Sequence, residues 1–274
     1  MKPLLFLVLL AVCLPGLQAQ DVLLKDGKVL RSLGIRREGN FLFLKATNPE
    51  GAVSETLLQL NLVDRIVFGE VPVLVELRQQ AATGNVEGVL AKTEPLLPFA
   101  RPFADIPGNL WAEVLRLRLS ALAVSPRPEA FAALQKQWLP TGDADLEAAV
   151  KLVASKLSGT DRKALEQTCR SLAVPGPHTV TAGVAWLELG AAALETREWK
   201  AALRAFLSVG VFAPAQRLLQ PAALLGAIRA FVGMEDFNSA KSLLEELRTE
   251  YPGAAELKQA SALIPLPPPV GVQN

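Results

Sequence analysis

The spacing of apolar residues changes once along the chain, near Val71 and Pro72, and this change constrains the fold most strongly. Before it, short apolar runs are separated by turn residues at intervals typical of β-strands. After it, apolar residues recur about every 3.6 positions, as on one face of an amphipathic helix. The sequence therefore predicts two domains: a small all-β module over residues 20–70, followed by an all-α domain over residues 71–263.

The β module is expected to contain about five short strands, over residues 22–24, 29–35, 41–44, 56–60 and 65–68. Turn signals separate them, at Asp26-Gly27, Glu38-Gly39-Asn40 and Asn48-Pro49-Glu50-Gly51. Five strands are too few for a two-sheet sandwich but can curl into a small barrel, whose core would need Phe41, Phe43 and Phe68. The order of these strands resembles the SH3-like or Sm-like modules of exported bacterial proteins. The resemblance implies a structural or docking role.

Residues 1–19 have the layout of a secretory signal peptide. Lys2 gives a positive start, an apolar run follows over residues 4–14, and Ala19 is a small residue at the predicted cleavage point. An uncleaved anchor is disfavoured because a membrane span needs about 20 apolar residues. Lipidation of Cys13 is disfavoured by the bulky Val12 before it. We expect export to the periplasm or the extracellular space, with no transmembrane segment after cleavage.

Composition excludes several classes of function. Half of the residues are hydrophobic, which excludes a largely disordered chain. The 28 Lys and Arg residues balance 27 Asp and Glu residues, so no nucleic-acid partner is expected. After cleavage the chain has one thiol, Cys169, and one imidazole, His178. We interpret Cys169 as a core residue rather than a nucleophile, and we expect neither a metal nor another cofactor.

The sharpest motif lies after residue 177, where Trp186, Leu189 and Gly190 form W-x2-L-G. Ala202, Phe206 and Pro214 follow as A-x3-F and a closing proline, at the spacing of a repeat of about 34 residues. A less regular second copy has Ile228 in the place of the glycine; its other matching residues are Leu224, Phe231, Ala240, Leu244, Leu247 and Pro252. Residues 178–254 therefore resemble the tetratricopeptide-repeat family, which implies an all-α solenoid of antiparallel helix pairs.

The resemblance implies a packing role for nine residues: Trp186, Leu189, Gly190, Ala202, Phe206, Pro214, Ala240, Leu244 and Pro252. Gly190 would let two helices approach closely, and Trp186 with Phe206 would fill the space between them. Degenerate repeats stay open as an interpretation of residues 73–172. A short helix over residues 254–263 would cap the last repeat. Residues 264–274 are read as a disordered proline-rich tail, with an SH3 ligand as the alternative.

In tetratricopeptide proteins the first helix of each pair lines a groove that holds a partner's peptide or helix. The matching positions of this chain are Val184, Leu187, Ala191, Leu194 and Glu195 in the first copy, and Leu225, Arg229 and Val232 in the second. This groove would be mainly apolar. The alternative is that Leu187 and Leu225 are covered by neighbouring repeats or by the terminal helix.

No nucleotide-binding or hydrolase motif is present in the sequence. The neighbouring carboxylates Asp143 with Asp145 and Glu245 with Glu246 are interpreted as solvated helix positions. The sequence thus favours an exported, non-enzymatic adaptor that binds a protein or peptide partner. An obligate subunit of a cell-envelope assembly, and an envelope ligand-binding protein or enzyme, are the alternatives.

Overall fold

A computed structural model describes residues 20–47, 51–69, 72–174 and 179–264. The predicted signal peptide, His178 and the proline-rich residues from 265 onward lie outside these ranges. The chain divides into two compact units, the first ending at Val75 and the second beginning at Glu76. Within the described ranges, no helix combines the length and the hydrophobicity that crossing a bilayer requires.

The described residues of the first unit form six strands in two antiparallel sheets. The strands are β1 (Gln20–Leu24), β2 (Val29–Ser32), β3 (Gly34–Glu38), β4 (Phe41–Thr47), β5 (Val53–Gln59) and β6 (Val63–Phe68). One sheet has the order β2-β1-β6 and the other the order β3-β4-β5. Gly27 and Gly39 adopt positive φ angles of 86° and 54° in the β1–β2 and β3–β4 turns, which confirms both turn predictions. Part of the third predicted turn, residues 48–50, lies outside the described residues.

The single strand expected over residues 29–35 is in fact two strands, which belong to different sheets. The break lies at Leu33, whose amide donates to the carbonyl oxygen of Lys45 at 2.7 Å. The buried Ser32 hydroxyl also donates to that oxygen, at 3.0 Å. Local side-chain bonding of this kind competes with a continuous strand ladder and bends the chain. The expected five-stranded barrel is therefore corrected to two three-stranded sheets that do not close into a barrel.

Aliphatic side chains, not aromatic ones, form the core of the first unit: Val22, Leu42, Leu44, Leu58, Val63 and Ile66. Phe41 is 38 % exposed, and Phe43 and Phe68 are only half-buried. The expectation that these three phenylalanines fill the core was wrong. Successive side chains of a strand point to opposite faces. Because Leu42 and Leu44 face inward, Phe41 and Phe43 lie on the other face of β4.

Eleven helices follow in the described part of the chain. They are α1 (Pro72–Ala82), α2 (Val86–Ala100), α3 (Trp111–Val124), α4 (Pro128–Gln137), α5 (Ala144–Leu157), α6 (Arg162–Leu172), α7 (Val180–Glu195), α8 (Trp199–Phe212), α9 (Gln220–Gly233), α10 (Phe237–Glu250) and α11 (Glu256–Leu263). Several begin where the sequence offers a capping side chain. For example, Asn85 accepts from the amide of Gly88, and Asp161 accepts from the amide of Ala164.

Helix α2 runs through Pro95 and Pro98 and ends at Ala100. Each proline removes one helical hydrogen bond. The helix nevertheless continues, because Leu96, Leu97 and Ala100 are all buried. Burial of each large side chain contributes roughly 1.5–3 kcal/mol, which offsets this loss.

A buried arginine joins α2 to α3. Arg118 of α3 is only 2 % exposed. Its guanidinium donates to Thr93 Oγ1 at 3.0 Å and to the Leu90 carbonyl at 3.3 Å, and it pairs with Glu94. These bonds compensate part of the cost of burying a charge between the two helices.

The first and last helical connections of the second unit contact each other. The amide of Gly253, after α10, donates to the carbonyl oxygen of Thr83, after α1, at 3.0 Å. Gly84 lies in the same place, so close to Pro221 that a Cβ built on it would be 2.9 Å from Pro221 Cγ. Repeats of an open solenoid contact only their neighbours. The two ends of the helical unit therefore meet through contacts between elements that are not neighbours in sequence, and the predicted solenoid of helix pairs stays a prediction.

Candidate partner-binding sites

The residues expected to pack the two repeats occupy α7 to α10. Buried among them are Gly190, Ala202, Phe206, Ala240 and Leu244. Trp186 and Leu189 are half-buried. Pro214 and Pro252 are exposed, each two residues after the end of its helix, where a proline cannot continue the helix.

The Phe206 ring lies between two glycines. A Cβ built on Gly190 of α7 would be 2.7 Å from Phe206 Cε1, and one built on Gly226 of α9 would be 2.4 Å from Phe206 Cζ. Both distances are far below van der Waals contact. The absence of a side chain at both positions is what lets α7 and α9 pack against this ring on α8.

Trp186 also packs between α7 and α8, at a different place from Phe206. It stacks on Phe212, with ring centroids 6.4 Å apart and planes inclined by 25°. The reason is the antiparallel direction of α7 and α8. Since Trp186 is one turn before Gly190 on α7, its neighbour on α8 lies toward the end of that helix, beyond Phe206.

The predicted groove of the first copy is not an open surface. Val184 and Leu187 are buried, and Ala191 and Leu194 are half-buried. Helix α7, which carries them, packs against α3, α5, α6, α8 and α9. Glu195 is exposed at the end of the helix and pairs with Arg162 of α6 at 2.5 Å.

The predicted groove of the second copy is covered by the terminal helix. Leu225 is buried in one cluster with Ala260 of α11, and Val232 packs against the same cluster. Arg229 is exposed, and its Nη2 donates to Gln259 Oε1 of α11 at 3.1 Å. The groove expectation is therefore corrected: Val184, Leu187 and Leu225 are core side chains that a partner does not reach in this structure.

Cys169 is fully buried on α6. Burial, together with the nearby charge of Glu188, raises the pKa of its thiol from 9.0 to about 12. A thiol that keeps its proton at neutral pH is a poor nucleophile. The structure places Cys169 as a core side chain.

The carboxylates considered for acid–base chemistry have structural partners. Asp143 caps α5 by accepting from the amide of Asp145 at 3.0 Å. Asp145 in turn accepts from the amides of Val180 and Thr181 at the start of α7, at 2.8 and 3.0 Å. A carboxylate at a helix N-terminus satisfies orphan amides and complements the helix dipole. Glu245 and Glu246 are exposed on α10, as expected of solvated positions.

An exposed apolar face, missed in the sequence, lies on the sheet β3-β4-β5. Phe41 and Phe43 of β4 share this face with Val53 and Leu57 of β5, because Phe43 pairs directly with Leu57. Val53 is 68 % exposed and Leu57 is 56 % exposed. We call these four residues the outer sheet face. The alternation of Phe41 and Phe43 with two leucines was the available signal, but the sequence alone does not say which set faces inward.

Charged side chains border the outer sheet face and also divide it, because Lys45 and Glu55 pair with each other between Leu57 and Val53. The Arg36 guanidinium lies over the Phe43 ring, 4.0 Å from its centroid. Arg36 also pairs with Glu55 at 3.4 Å and with Glu38. The cation–π contact holds the arginine stem along the sheet and leaves Val53 and Leu57 uncovered.

A second site missed in the sequence is a cleft of about 250 Å³ in the helical unit. It lies where α1, α3 and the short 3-10 helix Arg217–Leu219 meet. Among its described lining residues are three arginines, Arg78, Arg116 and Arg217. No local sequence signal joins these arginines, since they come from three elements far apart in the chain.

The tetratricopeptide resemblance rests on the residues of this chain alone. Among the described residues, no three His, Cys, Asp or Glu side chains are placed to hold a metal ion. No family model matches the chain, and neither a curated protein nor a solved structure matches it. Membership of the tetratricopeptide family therefore stays a prediction.

Proposed function

We propose that this chain is an exported, non-enzymatic adaptor that binds a partner protein through the outer sheet face. The observation that carries the proposal is the distribution of exposed apolar side chains. Of eleven large hydrophobic side chains exposed in the described residues, eight lie in the first unit, and three of these, Phe41, Val53 and Leu57, lie on the outer sheet face. Apolar surface concentrated in this way marks sites of protein interaction.

The chemistry of the face favours an apolar segment of a partner protein. Phe43 of β4 lies directly opposite Leu57 of β5, with Phe41 on one side of this pair and Val53 further along β5, opposite Thr47. Among the described residues, β5 pairs with β4 alone, so its second edge offers backbone donors and acceptors. An extended segment can add to such an edge and lay its side chains on the same face.

The non-enzymatic part of the proposal is supported by the roles of the reactive groups. The Cys169 thiol is buried and has a raised pKa. Asp143 and Asp145 cap helices instead of converging on a pocket. These placements are those of structural groups.

The binding proposal is tested by the double substitution Val53→Glu with Leu57→Glu. Both side chains are exposed, so the fold should be kept. Apolar anchors contribute about 2 kcal/mol or more each, so affinity should fall by more than tenfold per site. The measurement is capture of proteins from envelope extract by the purified chain, quantified by mass spectrometry for each captured species.

The matched control is Leu207→Glu with Val211→Glu, which changes two exposed apolar residues four positions apart on α8. A partner should be captured by the native chain and by this control, and lost with the sheet variant. Full capture by a folded sheet variant would show that the partner binds to another surface.

The oligomeric state separates an adaptor from an obligate subunit of an assembly. Size-exclusion chromatography of the purified chain without its partner should give a stable monomer if the chain is an adaptor.

Export is a separate part of the proposal and rests on residues 1–19. Intact-mass analysis of the protein from its native cell should give a chain that starts at Gln20, within three residues. Retention of residues 1–19, or a lipid on Cys13, would contradict it.

A further inference from the structure

The cleft between α1, α3 and the 3-10 helix Arg217–Leu219 has a lining of unequal charge. Among the described residues, its charged lining residues are three arginines, Arg78, Arg116 and Arg217, and one carboxylate, Glu113. Asp143 and Glu250, which do not line the cleft, pair with Arg116 and Arg217. An anionic group from solution would be attracted by the three guanidinium groups in competition with these carboxylates.

Neighbouring residues orient two of the guanidinium groups. Arg78 makes a two-pronged contact with Glu113, with nitrogen–oxygen distances of 2.7 and 2.9 Å. Arg116 donates to Asp143 at 2.9 Å. Surface pairs such as these contribute about 0–1 kcal/mol, so they fix direction without excluding a further acceptor. A guanidinium has five N–H donors, which leaves both arginines able to bind more than one carboxylate.

Arg217 makes the longest hydrogen bonds of the three arginines. Its guanidinium carbon lies 4.4 Å above the Tyr251 ring, which holds the side chain in place. Its nearest described acceptors, the Ala82 carbonyl and Glu250 Oε2, are both 3.4 Å away. Hydrogen bonds of an arginine to a carboxylate are normally about 2.7–2.9 Å long. Arg217 can therefore gain a stronger bond from an incoming carboxylate.

The rest of the cleft is mostly apolar. Its walls are formed by Ala81, Ala82, Leu117, Ala215 and Leu218. The buried polar residues Ser120 and Gln216 also line it, and their side-chain oxygens are 3.5 Å apart. Its volume of about 250 Å³ is below the roughly 300–1,000 Å³ typical of small-molecule sites. The combination suits one or two side chains of a peptide, one acidic and one aliphatic.

We propose that this arginine cleft binds an internal acidic segment of a protein partner, with a side-chain carboxylate on Arg217 and a neighbouring aliphatic side chain against Leu117 and Leu218. The site lies in the helical unit, has different chemistry from the outer sheet face, and goes beyond the function proposed above. Either site can fail while the other binds, because the two tests change different residues.

The test is direct binding of a fluorescent six-residue peptide of alternating Glu and Leu, blocked at both termini so that it has no terminal carboxylate. A Gln–Leu peptide of the same length is the reference. The Glu–Leu peptide should bind more tightly, and its affinity should fall as salt rises. Arg217→Gln should weaken it about tenfold, the effect of one charge-assisted hydrogen bond. Arg204→Gln, an exposed arginine of α8 outside the cleft, should leave it unchanged.

A second variant tests the site in the opposite direction. Glu113→Gln removes the one carboxylate found in the described lining and releases Arg78 from its ion pair. Affinity for the Glu–Leu peptide should therefore rise. Loss of fold cannot produce a gain in affinity, so this result separates binding from stability.

Three results would overturn the proposal. One is equal binding of the Glu–Leu and Gln–Leu peptides, and another is unchanged affinity in both the Arg217 and Glu113 variants. The third is binding of inorganic phosphate as tightly as the peptide, which would assign the cleft to small anions rather than to an acidic polypeptide. Loss of capture at the outer sheet face would leave all three measurements unaffected.

Discussion

The carbonyl oxygen of Thr83 accepts a hydrogen bond from the amide of Gly253, 3.0 Å away, although the two residues lie near opposite ends of the helical unit. This bond joins the connection after α1 to the connection after α10. Gly84 lies against Pro221 and Ala254 in the same place. The contact brings Ala82 beside Arg217, and with it α1 beside the 3-10 helix that lines the arginine cleft.

Substitution of Gly84 by alanine tests this closure. Gly84 has a φ of +76°, and an added Cβ would lie 2.9 Å from Pro221 Cγ. Gly159→Ala is the matched control, because Gly159 has a φ of +69° with nothing within 4 Å of an added Cβ. Backbone strain should lower the free energy of unfolding of both variants by about 1–2 kcal/mol. Overpacking should lower that of Gly84→Ala by roughly 1–3 kcal/mol more. Chemical denaturation measures the difference, and equal losses would contradict close packing at Gly84.

The position of the Phe206 ring predicts a similar effect at Gly226. An added Cβ would be 2.4–2.5 Å from three ring atoms of Phe206, so Gly226→Ala should lower the free energy of unfolding by roughly 1–3 kcal/mol. Gly210→Ala, on the exposed side of α8, meets its nearest atom at 3.5 Å. That control should be neutral or stabilising by up to about 1 kcal/mol, as alanine is the better helix former. A Gly226→Ala protein as stable as this control would show that α9 does not pack closely on Phe206.

The burial of the predicted groove changes what a charged substitution does there. Leu187→Glu with Leu225→Glu places two carboxylates among core side chains and should lower the melting temperature sharply. Leu207→Glu, an exposed leucine of α8, is the control and should melt close to the native protein. Circular dichroism records both. If the double variant stays fully folded, the two leucines are accessible and a groove is open after all.

The raised pKa of Cys169 predicts slow labelling and a defined pH dependence. A thiol reagent at pH 8 should modify the unfolded chain quickly and the folded chain hardly at all. The folded thiol keeps its proton to a higher pH than the unfolded thiol. The free energy of unfolding should therefore fall as the pH rises from 9.0 toward about 12.

The Cys169→Ala variant isolates this titration, since it keeps every other ionisable group. The native protein should lose stability relative to this variant by up to about 1.4 kcal/mol per pH unit in that window. Parallel pH profiles for the two proteins would mean that the thiol is not buried in the folded state.

Local sequence determined the order and most of the bounds of the secondary structure. Asp26 and Gly27 make their turn between β1 and β2, because glycine accepts the positive φ that the turn requires. Asp143 and Asp161 cap the helices that begin just after them, because their side chains accept from amides two or three residues ahead. The repeat motif predicted a close approach of two helices at Gly190, and Gly190 does pack closely against Phe206 of α8. Each of these depends on residues close together in the chain.

Tertiary structure alone decided which faces are covered. Alternation in β4 places Leu42 and Phe43 on opposite faces, but the packing of the sheet decided that Leu42 is the inner one. Leu225 has the pattern of a groove residue, yet α11 covers it. Arg78, Arg116 and Arg217 line one cleft although they come from three elements far apart in the chain. The periodicity of a sequence shows only where apolar and charged residues recur. Whether an apolar side chain is buried, or charged side chains cluster, depends on contacts between segments distant in sequence.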